Sequence, residues 1–230
     1  MGNLKGHIAL VTGGSNGIGR AIVRSLADAG CQVFFTYRQD HQSAQNLCDD
    51  ISLKGQQVGC CPFSFDHGIS GFPELLENVK GKYGCPDILV NNAAFASRSA
   101  FLDMTLLEYQ KTMGINVEAP FFLSQLVAKH LIEEKKRGSF INISSISAFK
   151  AISQMSAYQS SKAALSMMTK SLAYELSPYQ IRVNTISPGL TQTNSNRVQW
   201  QNDPDLWKER SKDIPLGRTG LPEDIASAAV

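Results

Sequence analysis

Six short apolar runs recur along the chain, at 7–12 (HIALVT), 32–37 (QVFFTY), 57–65 (QVGCCPFSF), 87–93 (DILVNNA), 139–145 (SFINISS) and 181–187 (IRVNTIS). Each has the length and the β-branched or aromatic content of a strand, and several are apolar at consecutive positions instead of alternating. Such runs mark strands covered on both faces, as in a parallel sheet. The intervals between them follow a different period. In IGRAIVRSLADAG (18–30), Ile18, Ile22, Leu26 and Ala29 fall on one helical stripe, and Gly30 follows as a stop. Strands alternating with helices predict an α/β chain, a doubly wound parallel sheet with right-handed crossovers and helices on both faces.

One interval breaks the alternation. TQTNSNRVQWQNDPDLWKERSKDIP (191–215) is polar and rich in Pro and Asn, and it follows the sixth strand. Together with Leu190 it makes residues 190–215 the expected lid over a ligand crevice. No repeat, low-complexity tract or linker divides residues 1–230, so one domain is expected.

Composition narrows the class. With 230 residues, 43% hydrophobic and 18% charged, the chain can bury one sizeable core. A net charge of +2 gives no electrostatic reason to expect nucleic acid or an anionic membrane as partner. The cysteines at 31, 48, 60, 61 and 85 are odd in number and form no CxxC pair, which suggests neither a disulfide framework nor a metal site and fits a reducing compartment. The opening MGNLKGHIALVTGG lacks the layout of a signal peptide, and its sixth residue is not the Ser/Thr of a myristoylation site. No apolar run approaches the ~20 residues needed to span a bilayer. A soluble cytoplasmic protein is expected.

The first candidate chemistry lies at the first strand–helix junction. TGGSNGIG (12–19) places Gly13, Gly17 and Gly19 in a TGxxxGxG spacing, with Ser15, Asn16 and Ile18 between them. A turn of this kind needs unusual backbone angles and close approach to a pyrophosphate, and the following helix offers free N–H groups and a positive dipole end. This junction predicts a Rossmann-type dinucleotide site. The second strand should then discriminate the cofactor at its tip, where an acid would hold the ribose hydroxyls of NAD. Here the tip carries Tyr37 and Arg38, with no carboxylate before Asp40. Arg38 suits a 2′-phosphate and Tyr37 can line the adenosine, so NADP(H) is preferred and NAD(H) remains possible. SAYQSSK (156–162) adds Tyr158 and Lys162, four apart on one helix face and able to meet.

TGGSNGIG, DILVNNAA, the Asn of INVEAPF, the Ser of NISS, YQSSK and SPG stand in the order seen in short-chain dehydrogenases/reductases, and the chain resembles that family from Gly6 past Pro222. The resemblance implies that Tyr158 is the catalytic acid/base, Lys162 its partner and Ser145, rather than Ser144, the third member. Asn116 is implied as the fourth, holding a water that connects the lysine to solvent. A free tyrosine titrates near ~10 and is a poor base at neutral pH. A nearby ammonium and an oxidised nicotinamide ring would favour tyrosinate and are expected to lower that value. Ser145 would orient the reacting oxygen.

Further cofactor contacts are implied by the same resemblance. Asp66 would meet the adenine amine and His67 would contribute backbone. Asn92 and Ala93 would line the ribose side, Lys162 with Tyr158 would serve the cofactor too, the lysine binding the nicotinamide ribose, and Pro188, Gly189, Thr191 and Thr193 would grip the carboxamide. Two departures stand out. Ala94 replaces a glycine in NNAA, which can narrow the substrate entrance, and Asn16 occupies a position often basic in NADP-preferring members. The chain ends at Val230 inside the helix of PEDIASAAV, so the family's final strand is expected to be missing. The usual homo-oligomer, a tetramer or dimer, is expected.

Within the family, FTYR, LIEEKKRGSFINISS and PGLTQTN resemble glucose 1-dehydrogenases, with 3-oxoacyl-[acyl-carrier-protein] reductases as the alternative. Phe149, Ile152 and Met155 form an apolar set suited to acyl or alicyclic ketones, or to packing. Lys135, Lys136, Arg137 and Arg98 are candidates for meeting an acidic carrier protein. A dinucleotide-binding regulator without catalysis is a further reading, and the intact Asn116, Ser145, Tyr158 and Lys162 argue against it.

Overall fold

The structure is a computed structural model that describes residues 3–230 and, of His67, the backbone alone. Met1 and Gly2, which open the N-terminal stretch, lie outside the described residues. All six apolar runs form strands: β1 (Ile8–Val11), β2 (Gln32–Tyr37), β3 (Val58–Pro62), β4 (Ile88–Asn91), β5 (Gly138–Ile143) and β6 (Ile181–Ile186). They pair in parallel in the order β3-β2-β1-β4-β5-β6. The third run is shorter than its apolar pattern. It ends at Pro62, which cannot donate to a ladder, and Phe63 and Phe65 turn off to pack on each other at a ring-centroid distance of 4.9 Å and on Phe72 at 5.9 Å each.

Consecutive apolar positions go to opposite faces, as a covered parallel sheet requires. Ala9, Val11, Val33, Phe35, Ile88, Val90, Ile141 and Ile143 pack on one side, against Ile22 and Leu26 of α1 (Gly17–Asp28) and Leu47 and Ile51 of α2 (His41–Ser52). Leu10, Phe34, Leu89, Phe140, Ile181 and Val183 pack on the other. Their partners are Leu75 and Val79 of α3 (Phe72–Tyr83) and Leu123, Val127 and Leu131 of α5 (Ala119–Glu133). The predicted first helix holds its stripe, and Gly30 closes it with φ +92°.

α4 (Leu106–Met113) runs into α5 through a π-turn at Gly114–Glu118, where the Ala119 N–H reaches five residues back to the Gly114 carbonyl. α6 (Ser156–Leu176) crosses from β5 to β6. The polar interval contains α7 (Arg197–Asn202) and α8 (Pro204–Lys212), which bury no residue, before α9 (Pro222–Ser227). A parallel bridge of Thr191 with Gly220 ties the two ends of that interval together. The chain reverses its winding between β1 and β4, and this switch point opens a crevice at the carboxyl ends of the strands.

Candidate active site

A cleft of about 950 Å³ opens there, and it gathers residues from segments spread between Gly13 and Gln199. The glycine turn forms one wall. Gly13 and Gly17 have φ of +68° and +53°, which only glycine adopts without strain. A Cβ on Gly19 would lie 2.1 Å from the Gly13 carbonyl oxygen, so helix and turn approach too closely for any side chain. Gly14, which the sequence reading passed over, is equally constrained, since a Cβ there would stand 2.6 Å from the Phe35 Cβ. Asn16 precedes α1 without capping it and the first turn carries no acid, so its N–H groups are left for an anion.

Asn92 and Ala93 line the cleft, but their polar atoms hold the glycine turn. The Asn92 carboxamide donates to the carbonyls of Thr12 at 2.9 Å and Gly13 at 3.0 Å. The N–H groups of Asn92 and Ala93 both donate to the Thr12 hydroxyl at 3.0 Å. Thr12 is therefore an organising residue that glycine spacing alone does not reveal.

At the tip of β2, Tyr37 is buried and its hydroxyl shares a 2.7 Å hydrogen bond with Nδ1 of His41. Arg38 is exposed, lines the cleft and has no hydrogen-bond or ion-pair partner among the described residues. Asp40, the first carboxylate after it, accepts from the Ser43 N–H at 3.0 Å and so caps α2. Asp66 reaches the cleft paired with Lys111 at 2.9 Å, and that ammonium holds its carboxyl below the usual range. The His67 side chain lies outside the described residues. Pro188, Gly189, Thr191 and Thr193 line the opposite wall, joined by Ser195, Asn196 and Gln199 from the polar interval.

The catalytic candidates converge at the floor. Ser145 follows β5 and accepts the Ser147 N–H at 3.1 Å, which fixes its hydroxyl. That hydroxyl lies beside the hydroxyl of Tyr158, in the first turn of α6, and favours its ionised form. One turn later, Lys162 places its Nζ 5.7 Å from the Tyr158 ring centroid and donates to the Ile143 carbonyl at 2.7 Å. It is 2% exposed, and burial pushes its pKa down to about 8. The expected lowering of the Tyr158 pKa is not found in this chain. Burial raises it, and the nearby Ser145 hydroxyl opposes that only in part. The inner face of α6 is polar, with Ser161, Lys162, Ser166 and Thr169 all buried, an arrangement costly for a merely structural helix.

Asn116 stands behind this group, in the π-turn, and is fully buried. Its Oδ1 accepts from the Phe95 N–H at 2.8 Å, and its Nδ2 donates to the Phe95 carbonyl at 2.8 Å and the Ser161 hydroxyl at 2.9 Å. Ser161 in turn donates to the Tyr158 carbonyl at 2.7 Å. The carboxamide thus spends its donors on protein, bracing the start of α6 against the loop after β4. A second buried chain, from Ser124 through Asn91 and Asn142 to Thr169, braces β4 and β5 against α5 and α6 at 2.8–3.1 Å, and the sequence reading had no signal for it.

The substrate end is walled by Phe95, Ile146, Ile152, Met155 and Leu190, together with Ala94, Ala96 and Arg98. Of the apolar set in SISAFKAISQM, Ile152 and Met155 line the cleft, whereas Phe149 lies on the surface at 77% exposure. Lys135, Lys136 and Arg137 precede β5, at the amino ends of the strands, and Lys136 pairs with Glu134 at 2.7 Å. Of the four proposed carrier contacts, Arg98 alone lines the cleft.

Known proteins share this architecture. The family described as enoyl-(acyl carrier protein) reductase matches residues 13–230. The 2-dehydro-3-deoxy-D-gluconate 5-dehydrogenase of Dickeya dadantii is 33% identical over 228 residues, 99% of this chain and 88% of its own. Human L-xylulose reductase is 35% identical over 225 residues, 98% of this chain and 88% of its own. The crystal structure of an NADP-bound 3-oxoacyl (acyl-carrier-protein) reductase from Agrobacterium tumefaciens superposes with a TM-score of 0.92 at 28% identity, covering 99% of this chain and 87% of that one.

Proposed function

The chain belongs to the short-chain dehydrogenase/reductase family of NAD(P)-dependent oxidoreductases, and on that premise we propose that it interconverts a small polyhydroxylated carbonyl compound and its secondary alcohol, with Tyr158 as acid/base. The observation that carries this reading is the convergence of Ser145, Tyr158 and Lys162 on the floor of a cleft whose other end is the glycine turn. Sugar-type chemistry, which the sequence suggested through its glucose 1-dehydrogenase resemblance, agrees with the two sugar-derived relatives. It is kept here in this broader form.

The residues present fit a nicotinamide dinucleotide. The side-chain-free turn at Gly13, Gly17 and Gly19 and the uncapped first turn of α1 would hold its pyrophosphate, and the unpartnered Arg38 would hold a 2′-phosphate, which favours NADP(H). Pro188, Gly189, Thr191 and Thr193 would hold the nicotinamide end. When bound, that group supplies or accepts the hydride. The chain's own part is to move a proton at the Tyr158 hydroxyl and to hold the substrate oxygen with Ser145. A neutral buried tyrosine is the right form to donate to a carbonyl oxygen, and the nearby Lys162 ammonium steadies the tyrosinate that remains. Asn116 acts through Ser161 and the Tyr158 backbone as a positioning residue.

Residues 190–215 form the lid of this proposal. Its helices bury no residue, the Thr191–Gly220 bridge ties its ends together as a base on which it would close, and Ser195, Asn196 and Gln199 lie at the rim. No helix among the described residues is long and apolar enough to cross a membrane. A cytoplasmic homo-oligomer completes the reading, supported by Leu106, Leu107, Met167 and Tyr174, large side chains exposed on α4 and α6.

The test is a rate assay of NADPH oxidation with L-xylulose, D-glucose assayed in reverse with NADP⁺, and an acetoacetyl thioester. Turnover of a sugar with kcat/KM of about 10⁴ M⁻¹s⁻¹ or more is expected. Turnover of the thioester alone would replace the sugar reading by the acyl one.

A further inference from the structure

Two guanidinium groups line the cleft without a hydrogen-bond or ion-pair partner among the described residues. Arg38 stands at the dinucleotide end, close enough to Asp66 to influence its carboxyl. Arg98 stands at the other end, and nothing in the proposed reaction yet uses it.

The backbone on both sides of Arg98 is held, while its side chain is exposed at the cleft. The Ser97 hydroxyl donates to the Glu108 carboxylate at 3.2 Å, and the Ser99 N–H donates to the Gln154 carbonyl at 3.1 Å. The second of these bonds ties the Arg98 segment to the stretch that leads into Tyr158. Glu108 is not a counter-ion for Arg98, because its oxygens are taken by Ser97 and by the backbone and hydroxyl of Thr105. The acids that line the cleft, Asp40 and Asp66, are at the dinucleotide end and already engaged. The substrate end therefore carries two cations, Lys162 and Arg98, no lining carboxylate, and an otherwise apolar wall of Ile146, Ile152 and Met155.

An exposed, unpaired guanidinium at the edge of a concave, partly apolar site favours an anion, and its planar fork matches a carboxylate in bidentate fashion. A neutral ketose offers hydroxyl oxygens but no charge to match it. We propose that Arg98 binds a carboxylate of the substrate, so that the preferred substrate is a sugar acid whose carboxylate lies away from the reacting carbonyl or carbinol carbon. The proposal rests on reading the cleft as a carbonyl–alcohol oxidoreductase site.

The probes are 5-keto-D-gluconate and L-sorbose, six-carbon ketones that differ in carrying a carboxylate or a hydroxymethyl group at one end, with 2-dehydro-3-deoxy-D-gluconate and NADP⁺ as a second acid. Wild type is expected to favour at least one acid over L-sorbose by about 10-fold or more in kcat/KM, and Arg98→Gln to lose about 10- to 100-fold on that acid, chiefly in KM. The rate with L-sorbose should fall far less than that with the acid in this variant, and Arg98→Lys should recover part of the loss on the acid. Equal loss on acid and neutral probes, no loss on the acid, or inertness toward both acids overturns the proposal. The wider reading is judged separately: NADPH oxidation with L-sorbose or L-xylulose keeps it while Arg98 loses its role, and no turnover with any carbonyl removes both.

Discussion

At the scale of single residues, the site rests on two groups whose ionisation is displaced by burial. Tyr158 is held above the usual tyrosine range and Lys162 is pushed down to about 8 from 10.5. The lysine shift has a definite sign in stability. Between about pH 8 and 10.5 the unfolded chain keeps a proton that folded Lys162 has lost, so the folded state gains stability as pH rises through that window. Denaturant midpoints of wild type and Lys162→Met, measured from pH 7 to 10.5, should show wild type gaining on the variant above pH 8. A constant difference would contradict the burial argument. Arg38 gives a second residue-scale expectation. Arg38→Ala should weaken NADPH binding about 10- to 100-fold and leave NADH nearly unchanged, read by fluorescence titration with each. Tyr158 and Lys162 were legible as a pair from their spacing, and their roles and that of Ser145 only through the family resemblance. The direction of the Tyr158 shift was not, because a spacing tells which charges are near but not how much water is excluded.

At the scale of elements, local pattern was most informative where one residue type is forced. The glycine turn was found from Gly13, Gly17 and Gly19, and the structure explains why each tolerates no Cβ or needs a positive φ. Gly14 was missed because its constraint is the Phe35 side chain, twenty-one residues along on the neighbouring strand. The roles of Thr12 and Asn92 were hidden for the same reason, since hydrogen bonds between β1 and the end of β4 have no local sequence signature. The π-turn that carries Asn116 was likewise invisible in the apolar period. Two glycine substitutions should act with opposite signs. Gly19→Ala forces a Cβ against the Gly13 carbonyl and should cost about 1–3 kcal/mol or more, with loss of dinucleotide binding. Gly81→Ala lies in α3 with open space around it and should stabilise by about 1 kcal/mol. Chemical denaturation of both variants checks the pair, and a stable Gly19→Ala would mean that the turn is looser than described.

At the scale of the whole molecule, the six strands and their covering helices followed from apolar runs alone, because a strand buried on both faces has few alternatives. The fate of residues 190–215 was less legible. Their polar composition allowed a lid, yet the bridge of Thr191 with Gly220 that ties its ends together depends on a fold-level contact. The exposed Met167 and Tyr174 stand seven residues apart on one face of α6, at 63% and 85% exposure. If that face joins copies of the chain, Met167→Glu combined with Tyr174→Glu should lower the mass seen by sedimentation without unfolding the protein. The central claim is that proton transfer at Tyr158 accompanies hydride transfer in this cleft. The most direct measurement is NADPH binding and carbonyl turnover by Tyr158→Phe beside wild type. The variant should bind NADPH with unchanged affinity and lose turnover by about 10²-fold or more, whereas turnover within a few-fold of wild type would contradict the account.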